Sequence, residues 1–249
     1  MATDAPPLLG IMMLDTRFPR IPGDIGNALT WPFAVRYAVV PGATPDAVVC
    51  DDVEPFVQAF ISAGQGLVAQ GCSGIATTCG FLAPLRGRLA AALGVPVAAS
   101  ALEQAGQIAA MLPPGQRVGI LTISAETLSA VHLCTAGVPQ DCPVQGLERS
   151  GFAQTILGNH ASLDVDGAER DMVAAAQELV ADHAYLGQFC WNVQIWCLMS
   201  MRLQRPQGGP CFRSIPICAG FTLGCVREPL IGPDIRPDRA ANLLQIQPG

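Results

Sequence analysis

The sequence predicts an α/β fold in which parallel strands are joined by crossover helices. Short apolar runs of strand length alternate with longer segments of helical spacing along the 249 residues, and this alternation is typical of parallel sheets flanked by helices. A second series of strand, loop and helix after residue 113 resembles the first in kind. We therefore expect two pseudo-symmetric lobes, over residues 1–100 and 101–218, followed by an irregular tail over 219–249.

The first series opens with Leu8–Leu14, whose apolar run predicts a buried strand. A loop rich in Pro and Gly follows over residues 15–27. The next predicted elements are a strand at Val35–Val40, a helix at Asp51–Gln70, a strand at Gly74–Thr77, a helix at Leu82–Leu93, a strand at Val95–Ala98 and a helix at Ala101–Met111. The second series begins with a strand at Arg117–Thr122, and its last helix is acidic and alanine-rich over Asp166–His183.

The chain changes character near Gly187. Five of the ten cysteines and two of the three tryptophans follow Gln188, and the stretch from Phe189 to Cys225 contains one alanine and no carboxylate. The segment Phe189–Cys197 resembles neither a strand nor a helix of the preceding kind. A shifted reading frame would explain the change, because codons built from the third base of one residue and the first two of the next permit A-I-L-L-E-C-T-N-M-V from the Gly187 junction onward. We hypothesise that residues after about Gly187 are translated out of frame.

Composition excludes several classes of function. A hydrophobic content of 50% and a charged content of 14% indicate a globular chain that can bury a sizeable core. The net charge of −6 and the lack of a basic cluster argue against a nucleic-acid partner. No apolar run reaches the roughly 20 residues of a membrane span, and Met1–Pro7 lacks the basic region of a signal peptide. We therefore expect a cytoplasmic protein with reduced thiols and no membrane partner.

All 14 basic residues are arginine, since lysine is absent. Pyridoxal phosphate requires a lysine for its Schiff base, and a Walker-type phosphate loop requires one for its phosphates. No G-x-G-x-x-G dinucleotide loop follows a strand, and no G-x-S-x-G elbow supports a catalytic serine. The three histidines are scattered, no C-x-x-C pair occurs, and the chain shows no metal-ligand spacing. The expectation is an enzyme without a cofactor or a metal.

Cys79 is the best candidate for a catalytic group. It follows a short apolar strand and precedes a helix, and ligands of parallel α/β sheets bind outside the carboxyl ends of the strands. N–H groups at the start of the helix would favour the thiolate there, and Gly80 would let the backbone approach a substrate carboxylate. The alternative is that Cys79 is one of several small buried hydrophobic residues.

Two further loops at strand ends carry polar side chains. Thr122 and Ser124 could donate hydrogen bonds to a carboxylate, although Ser124 could instead cap a following helix through Thr127. Asp15 could bind substrate, or it could form a structural ion pair with Arg17.

Three segments of the chain resemble the aspartate/glutamate (and hydantoin) racemase superfamily. They are G-I-M-M-L-D-T-R-F-P-R-I-P-G-D-I-G-N at Gly10–Asn27, I-A-T-T-C-G-F at Ile75–Phe81 and L-D-V-D-G-A-E-R-D-M-V at Leu163–Val173. The resemblance covers about residues 8–187 and resumes as E-C-T-N only in the shifted frame. The N-terminal segment is specific to one uncharacterised branch, whereas the cysteine segment alone is a weak signal.

The resemblance implies a cofactor-independent racemase or epimerase of a small amino acid or related carboxylate. In that family two cysteines, one from each lobe, face opposite sides of the substrate α-carbon in the cleft between the lobes. Cys79 matches the first cysteine, while Thr78, Gly80 and Thr122 lie where family members contact the substrate carboxylate. The resemblance also makes a homodimer plausible, and in intact relatives the C-terminal segment completes the first lobe.

The second family cysteine is missing from the chain as written. In the shifted frame it would be encoded across Asn192 and Val193, and Cys190, two residues away, is a weak substitute. Two alternatives stay open for the function. One is a related enzyme that resembles arylmalonate decarboxylase or maleate isomerase, and the other is a damaged, non-catalytic product.

Overall fold

A computed structural model describes residues 7–192, which form an α/β structure with two parallel sheets flanked by helices. The predicted fold class is confirmed. The strands are β1 Leu8–Leu14, β2 Val35–Val40, β3 Cys72–Thr77, β4 Val97–Ala98, β5 Arg117–Thr122, β6 Val144–Gly146 and β7 Leu186–Trp191. The α-helices are α1 Pro45–Val49, α2 Val57–Ala69, α3 Arg86–Leu93, α4 Glu103–Met111, α5 Ala130–Thr135, α6 Gly151–Leu157 and α7 Val165–Asp182.

The two sheets repeat the same strand arrangement. The first has the order β2-β1-β3-β4 and the second β6-β5-β7, so each series places its opening strand between the two that follow it. Both sheets have a register irregularity near the start of their opening strand. It lies between Leu8 and Leu9 where β1 pairs with β3, and between Arg117 and Val118 where β5 pairs with β7. Strands β1, β2 and β3 therefore correspond to β5, β6 and β7, while β4 has no counterpart among the described residues.

This correspondence extends past the strand ends. The residue after β3, Thr78, donates its backbone N–H to the carbonyl of Met12 over 3.0 Å. The residue after β7, Asn192, donates its backbone N–H to the carbonyl of Leu121 over 2.8 Å. Met12 pairs with the last residue of β3 and Leu121 with the last residue of β7. Thr78 and Asn192 therefore occupy equivalent positions in the two halves.

The segment Phe189–Cys197, which in sequence resembles neither a strand nor a helix of the preceding kind, is a strand as far as Trp191. Strand β7 runs through this segment and pairs in parallel with β5. A strand beside β5 needs only a neighbouring backbone and a buried environment, and Cys190 and Leu186 supply apolar side chains. Residues 193–249 lie outside the described residues, and with them the predicted tail over 219–249. The lobe boundaries near 100 and 218 stay predictions.

Sequence patterns located the long elements better than the short ones. Helix α2 begins at Val57, after a 3-10 turn at Glu54–Phe56, rather than at Asp51. The predicted helix Leu82–Leu93 divides into a 3-10 helix at Gly80–Leu85 and α3, because Pro84 lies inside its first part. Helices α1, α5 and α6 and strand β6 were not predicted, since elements of three to seven residues are too short to show a period.

Close packing of α2 on the first sheet fixes the strand that leads to Cys79. A Cβ atom at Gly10 would lie 2.7 Å from Cδ1 of Ile75 and 3.1 Å from Leu67, so glycine is required where the helix crosses β1. Most buried apolar side chains of both halves belong to one cluster that includes Cys79 and Cys190, and a second, smaller cluster contains Leu9, Ile11, Ile25 and Ala76. Within residues 7–192, no helix is both long and apolar enough to cross a membrane.

Candidate active site

Cys79 lies at the carboxyl end of β3, directly before the 3-10 helix Gly80–Leu85. Its backbone is extended, with φ −135° and ψ 123°. The hydroxyl of Thr77 lies 2.8 Å from the carbonyl of Ala99 and 3.4 Å from the N–H of Cys79, which anchors the strand end. Only 6% of the Cys79 surface is exposed. The thiol is therefore held at the strand end where parallel sheets bind ligands.

A small pocket of about 40 Å³ opens at this thiol. Both halves of the chain contribute to it, and its walls are mainly apolar. The lining residues are Leu14, Thr16, Phe18, Arg20, Pro45, Val49, Thr78, Cys79, Gly80, Phe81, Ile123, Ile156 and Asn192. Among them only Arg20 carries a formal charge. The pocket therefore combines one thiol, one guanidinium and a few neutral polar groups.

Burial raises the pKa of the Cys79 thiol to about 12. The backbone N–H of Phe81 and the positive charge of Arg20 both lower this pKa, as the sequence led us to expect for a helix start, but desolvation outweighs them. Burial consequently keeps the Cys79 sulfur a neutral thiol at pH 7. A bound positive charge or a more open pocket would be needed to favour the thiolate.

Arg20 belongs to a buried ion pair at the wall of the pocket. Its Nη1 lies 3.1 Å from Oδ2 and 3.3 Å from Oδ1 of Asp24, and its Nη2 donates to the hydroxyl of Thr16 over 3.0 Å. The guanidinium also lies 4.7 Å from the centre of the Phe18 ring. Arg20 Nε is buried and has no hydrogen-bond partner.

Asp24 is fully buried, and its pKa is raised because desolvation outweighs the opposing effects of Arg20 and of the Gly26 N–H. The Gly26 N–H donates to Oδ1 over 2.6 Å. The carboxylate oxygens thus accept hydrogen bonds from Arg20 and from the N–H of Gly26 in the same loop. Its negative charge offsets part of the positive charge that Arg20 presents to the pocket.

Asn192 closes the pocket from the second half of the chain. It is 2% exposed, and its Nδ2 lies 3.4 Å from the hydroxyl oxygen of Thr122. Its Oδ1 lies 3.3 Å from the hydroxyl of Ser100, which also lies 2.6 Å from the carbonyl of Gly80. Because the Asn192 amide bridges loops of both sheets, it ties the backbone beside Cys79 to the end of β5.

The structure brings only some of the predicted binding residues to the pocket. Thr78 and Gly80 line it, although the Thr78 hydroxyl is occupied by the N–H of Leu14 at 3.3 Å. Thr122 reaches it only through Asn192. Ser124 lies outside the lining, where its Oγ accepts the N–H of Thr127 over 3.2 Å. This is the local bond that the capping alternative expected, but the next helix begins later, at Ala130.

Asp15 holds the loop that carries Arg20 rather than lining the pocket. Its carboxylate accepts the N–H of Gly42 over 3.0 Å, and no ion pair joins it to Arg17 within the described residues. The side chain of Asn159 receives the N–H of Arg17 over 2.7 Å and donates to the carbonyl of Asp15 over 2.9 Å. This clamp attaches the loop to the residues after α6.

Cys190 is not brought to the pocket. Its side chain is fully buried on β7, one residue before the strand ends, and its Sγ lies 3.3 Å from the carbonyl of Ala101. Burial raises its pKa to about 12. Its register partner in β5 is Ile120, two residues before the strand ends. A side chain at this depth in a sheet packs in the core.

Arg20 and Asn192 are the pocket residues that the sequence did not single out. Arg20 lies inside the N-terminal segment that carried the family resemblance, so its buried pairing with Asp24 four residues later was a signal that could have been used. Asn192 lies beyond the point at which the chain changes character. Within residues 7–192 no group of three or more His, Cys, Asp or Glu side chains is arranged to hold a metal ion.

Several solved structures have a similar fold. A glycine-to-cysteine variant of arylmalonate decarboxylase with associated sulfate gives a TM-score of 0.54 at 16% identity, covering 85% of this chain and 89% of that one. Arylmalonate decarboxylase itself gives 0.50 at 14% identity, with 87% and 90% covered. An aspartate racemase homologue from Pyrococcus horikoshii gives 0.50 at 11% identity, with 86% and 97% covered. No family model matches the sequence.

Curated proteins of similar sequence carry a different name. Dimethylsulfoniopropionate lyase 7 of Emiliania huxleyi is 26% identical over 243 residues, which cover 91% of this chain and 69% of the lyase. Lyase 3 of the same organism is 28% identical, with 91% and 62% covered. A dimethylsulfoniopropionate lyase of Durusdinium is 25% identical, with 90% and 77% covered. The chain thus spans about two thirds of the length of the first two.

These alignments continue past the change in character at Gly187. An alignment that covers 91% of 249 residues omits about 22 of them, fewer than the 62 that follow Gly187. The hypothesis of a shifted frame must account for this continuation.

Proposed function

We propose that this chain, which has the fold of the aspartate/glutamate racemase superfamily, is a cofactor-independent enzyme that moves a proton at a carbon next to a carboxylate. The observation that carries the proposal is the Cys79 thiol in a pocket to which the described residues contribute a single positive charge, that of Arg20. A sulfur base takes the proton, and the positive charge together with nearby N–H groups stabilises the negative charge that develops on the carboxylate.

The chemistry first requires the thiolate of Cys79. Burial disfavours this ion in the empty pocket, where the pKa is raised to about 12. A substrate that carries its own positive charge would oppose this effect by Coulomb attraction. A sulfonium or ammonium carboxylate therefore suits the pocket better than a dianion, since it can supply the charge that ionises the base.

A lyase reaction fits a pocket with one sulfur. The Cys79 thiolate would accept the α-proton, the C–H electron pair would form the new double bond, and the β-carbon bond to a sulfonium sulfur would break with its electrons on sulfur. A neutral sulfide and an unsaturated carboxylate would leave, and Cys79 would lose its proton to water. The similarity to dimethylsulfoniopropionate lyases favours this reaction, in which the bond between the β-carbon and sulfur breaks.

Racemisation or epimerisation of a small amino acid is the other candidate, favoured by the family resemblance of the sequence. It needs an acid on the opposite face of the α-carbon. In the sequence, Val193 follows Asn192 as Cys79 follows Thr78. This is also the point at which the shifted frame would encode a cysteine. Decarboxylation of a malonate or isomerisation of maleate is the further alternative that the sequence left open.

The test compares two cysteine variants in D₂O. We expect the chain to release dimethyl sulfide from dimethylsulfoniopropionate, or to exchange the α-hydrogen of aspartate or glutamate for deuterium, and Cys79→Ala to lose either activity by about a thousandfold or more. Cys142→Ala is the matched control, because Cys142 is buried but does not line the pocket. Activity that is equal in the Cys79→Ala and Cys142→Ala variants would refute the role of Cys79.

Two further measurements separate the candidates. Headspace sulfide without racemisation would identify a lyase, whereas a gain of racemisation in Val193→Cys would identify a two-thiol ancestor and support the shifted frame. A chain that melts without a cooperative transition and turns over none of these compounds would be the damaged product that the sequence also left open.

A further inference from the structure

We propose that Arg20 recognises the anionic group of the ligand in the Cys79 pocket, and that Asp24 limits the strength of this recognition. The inference rests on the proposed function only in taking this pocket as the ligand site. The chemical class it assigns is a small carboxylate bound through a guanidinium, rather than through backbone groups alone.

The first support is the charge balance of the pocket wall. Among the described residues that line the pocket, only Arg20 has a formal charge, and its side chain is 11% exposed. The remaining lining groups are apolar or neutral. A cation that faces a small, mainly apolar cavity acts in a medium of low dielectric, where its attraction for an anion is stronger than in water.

The second support is that the hydrogen-bonding capacity of Arg20 is not exhausted. A guanidinium carries five N–H groups. Nη1 is used by Asp24 and Nη2 by the hydroxyl of Thr16, while Nε is buried without a partner. An unpaired buried donor is costly, and a ligand oxygen that competes for the guanidinium recovers part of that cost. Thr16 also lines the pocket and can give up its bond to a ligand.

The third support is the environment of Asp24. Its carboxylate does not bind the ligand, and its negative charge opposes the positive charge of Arg20. Asp24 has no exposed surface and does not line the pocket. Its carboxylate is held by Arg20 and by the N–H of Gly26. It therefore keeps Arg20 in place, and its negative charge weakens the attraction of Arg20 for a ligand anion.

This arrangement predicts effects of opposite sign for the two partners. Removing the Arg20 charge should weaken anion binding, and removing the Asp24 charge should strengthen it. General damage to the loop would weaken binding in both cases. The opposite signs distinguish electrostatic recognition from a purely structural role.

The experiment measures how malonate protects Cys79 from iodoacetamide at a fixed pH, by mass spectrometry of the Cys79 peptide in the full chain. We expect protection in the wild type, an apparent Kd at least about tenfold higher in Arg20→Met, and a lower Kd in Asp24→Asn. Arg20→Lys should keep part of the affinity. Arg17→Met is the matched control, because Arg17 lies in the same loop, is exposed and is not part of the pocket.

Sulfate serves as a second probe, since it shares the charge but not the planar geometry of a carboxylate. Weaker protection by sulfate than by malonate is expected, and stronger protection by sulfate would overturn the carboxylate assignment. Absence of malonate protection in the wild type would overturn the proposal, as would an unchanged Kd in Arg20→Met that melts cooperatively. If Arg20→Met does not fold, a Kd in Asp24→Asn that is equal or higher would overturn it.

The result is independent of turnover. Arg20-dependent protection without any proton exchange would leave the inference standing and refute the proposed function. Turnover that needs Cys79 but not Arg20 would leave the proposed function standing and refute the inference about Arg20.

Discussion

Replacing Gly80 with alanine tests the contact on which the pocket depends. A Cβ atom at Gly80 would lie 1.9 Å from Oδ1, 2.5 Å from Cγ and 2.5 Å from the backbone oxygen of Asn192. Rotation of the Asn192 side chain can relieve the first two overlaps. The third involves backbone, so β7 and the strand end at Cys79 would have to separate by about 0.9 Å to reach an ordinary contact of 3.4 Å.

The cost of this substitution follows from overpacking. Inserting a methyl group into a packed site typically costs about 1–3 kcal/mol. For a chain of this size each kcal/mol lowers the melting temperature by roughly 2–4 °C. We therefore expect Gly80→Ala to melt about 2–12 °C below the wild type, with slower alkylation or turnover at Cys79 if the displaced strand end closes the pocket.

Gly87→Ala is the matched control. Gly87 is an exposed glycine in α3, seven residues further along the chain, and a Cβ atom there would meet nothing within 4 Å. Because alanine has the higher helix propensity, this variant should be roughly 0.5–1 kcal/mol more stable than the wild type. Adding Asn192→Ala to Gly80→Ala should restore only part of the stability, since the backbone oxygen remains.

The assay is thermal melting followed by circular dichroism, with all variants at one concentration and pH. Equal melting temperatures for Gly80→Ala and Gly87→Ala would refute the reasoning, because Asn192 could then not be packed against Gly80. That result would also remove the evidence that the residues after Gly187 form β7 as written.

Three other substitutions have defined expected outcomes. Cys190→Ala should lower the free energy of unfolding by about 1 kcal/mol, because it leaves a small cavity and removes the bond to Ala101. The alkylation rate of Cys79 should stay unchanged in this variant. A loss of Cys79 reactivity would contradict the assignment of Cys190 to the core. The pKa of Asp24 is raised on folding, so the folded chain binds the extra proton and the wild type should lose stability relative to Asp24→Asn as pH rises from about 3.8 through the folded pKa. Urea denaturation over a pH series measures this difference, and a difference that grows in favour of the wild type would reverse the sign. Asn159→Ala should lower the free energy of unfolding by about 2–3 kcal/mol, since two hydrogen bonds are lost and alanine is strained at φ 48°. Asn159→Gly should lower it by only about 1 kcal/mol, because glycine adopts this φ without strain. Equal losses would show that the backbone conformation contributes nothing.

Sequence patterns predicted the scaffold of the site better than its contents. Strand β1 matched its predicted bounds because seven consecutive residues are apolar or glycine, and Cys79 was located because a thiol at a strand end lies where ligands bind. Arg20 was missed because a loop has no period and its burial depends on the fold around it. The core position of Cys190 follows from pairing register, which a single strand does not reveal.

Thr122 and Ser124 show a second limit of sequence reasoning. Both were expected to bind a carboxylate because hydroxyl groups at a strand end can do so. In the fold their hydroxyls are engaged by Asn192 and Thr127. Which of two available partners a hydroxyl takes is decided by distances of a few tenths of an ångström, and no sequence pattern encodes them.

The long-range bonds of Asn192 determine when the pocket can form during synthesis. Its amide contacts Ser100 and Thr122, which precede it by 92 and 70 residues. All four strands of the first sheet among the described residues have been made once β4 has emerged from the ribosome, so Cys79 can be buried early. The last wall of its pocket must wait until β7 has emerged and paired with β5. A nascent chain released before Asn192 would therefore carry a folded first sheet and an accessible Cys79 thiol. Early termination would then be detectable from the reactivity of Cys79.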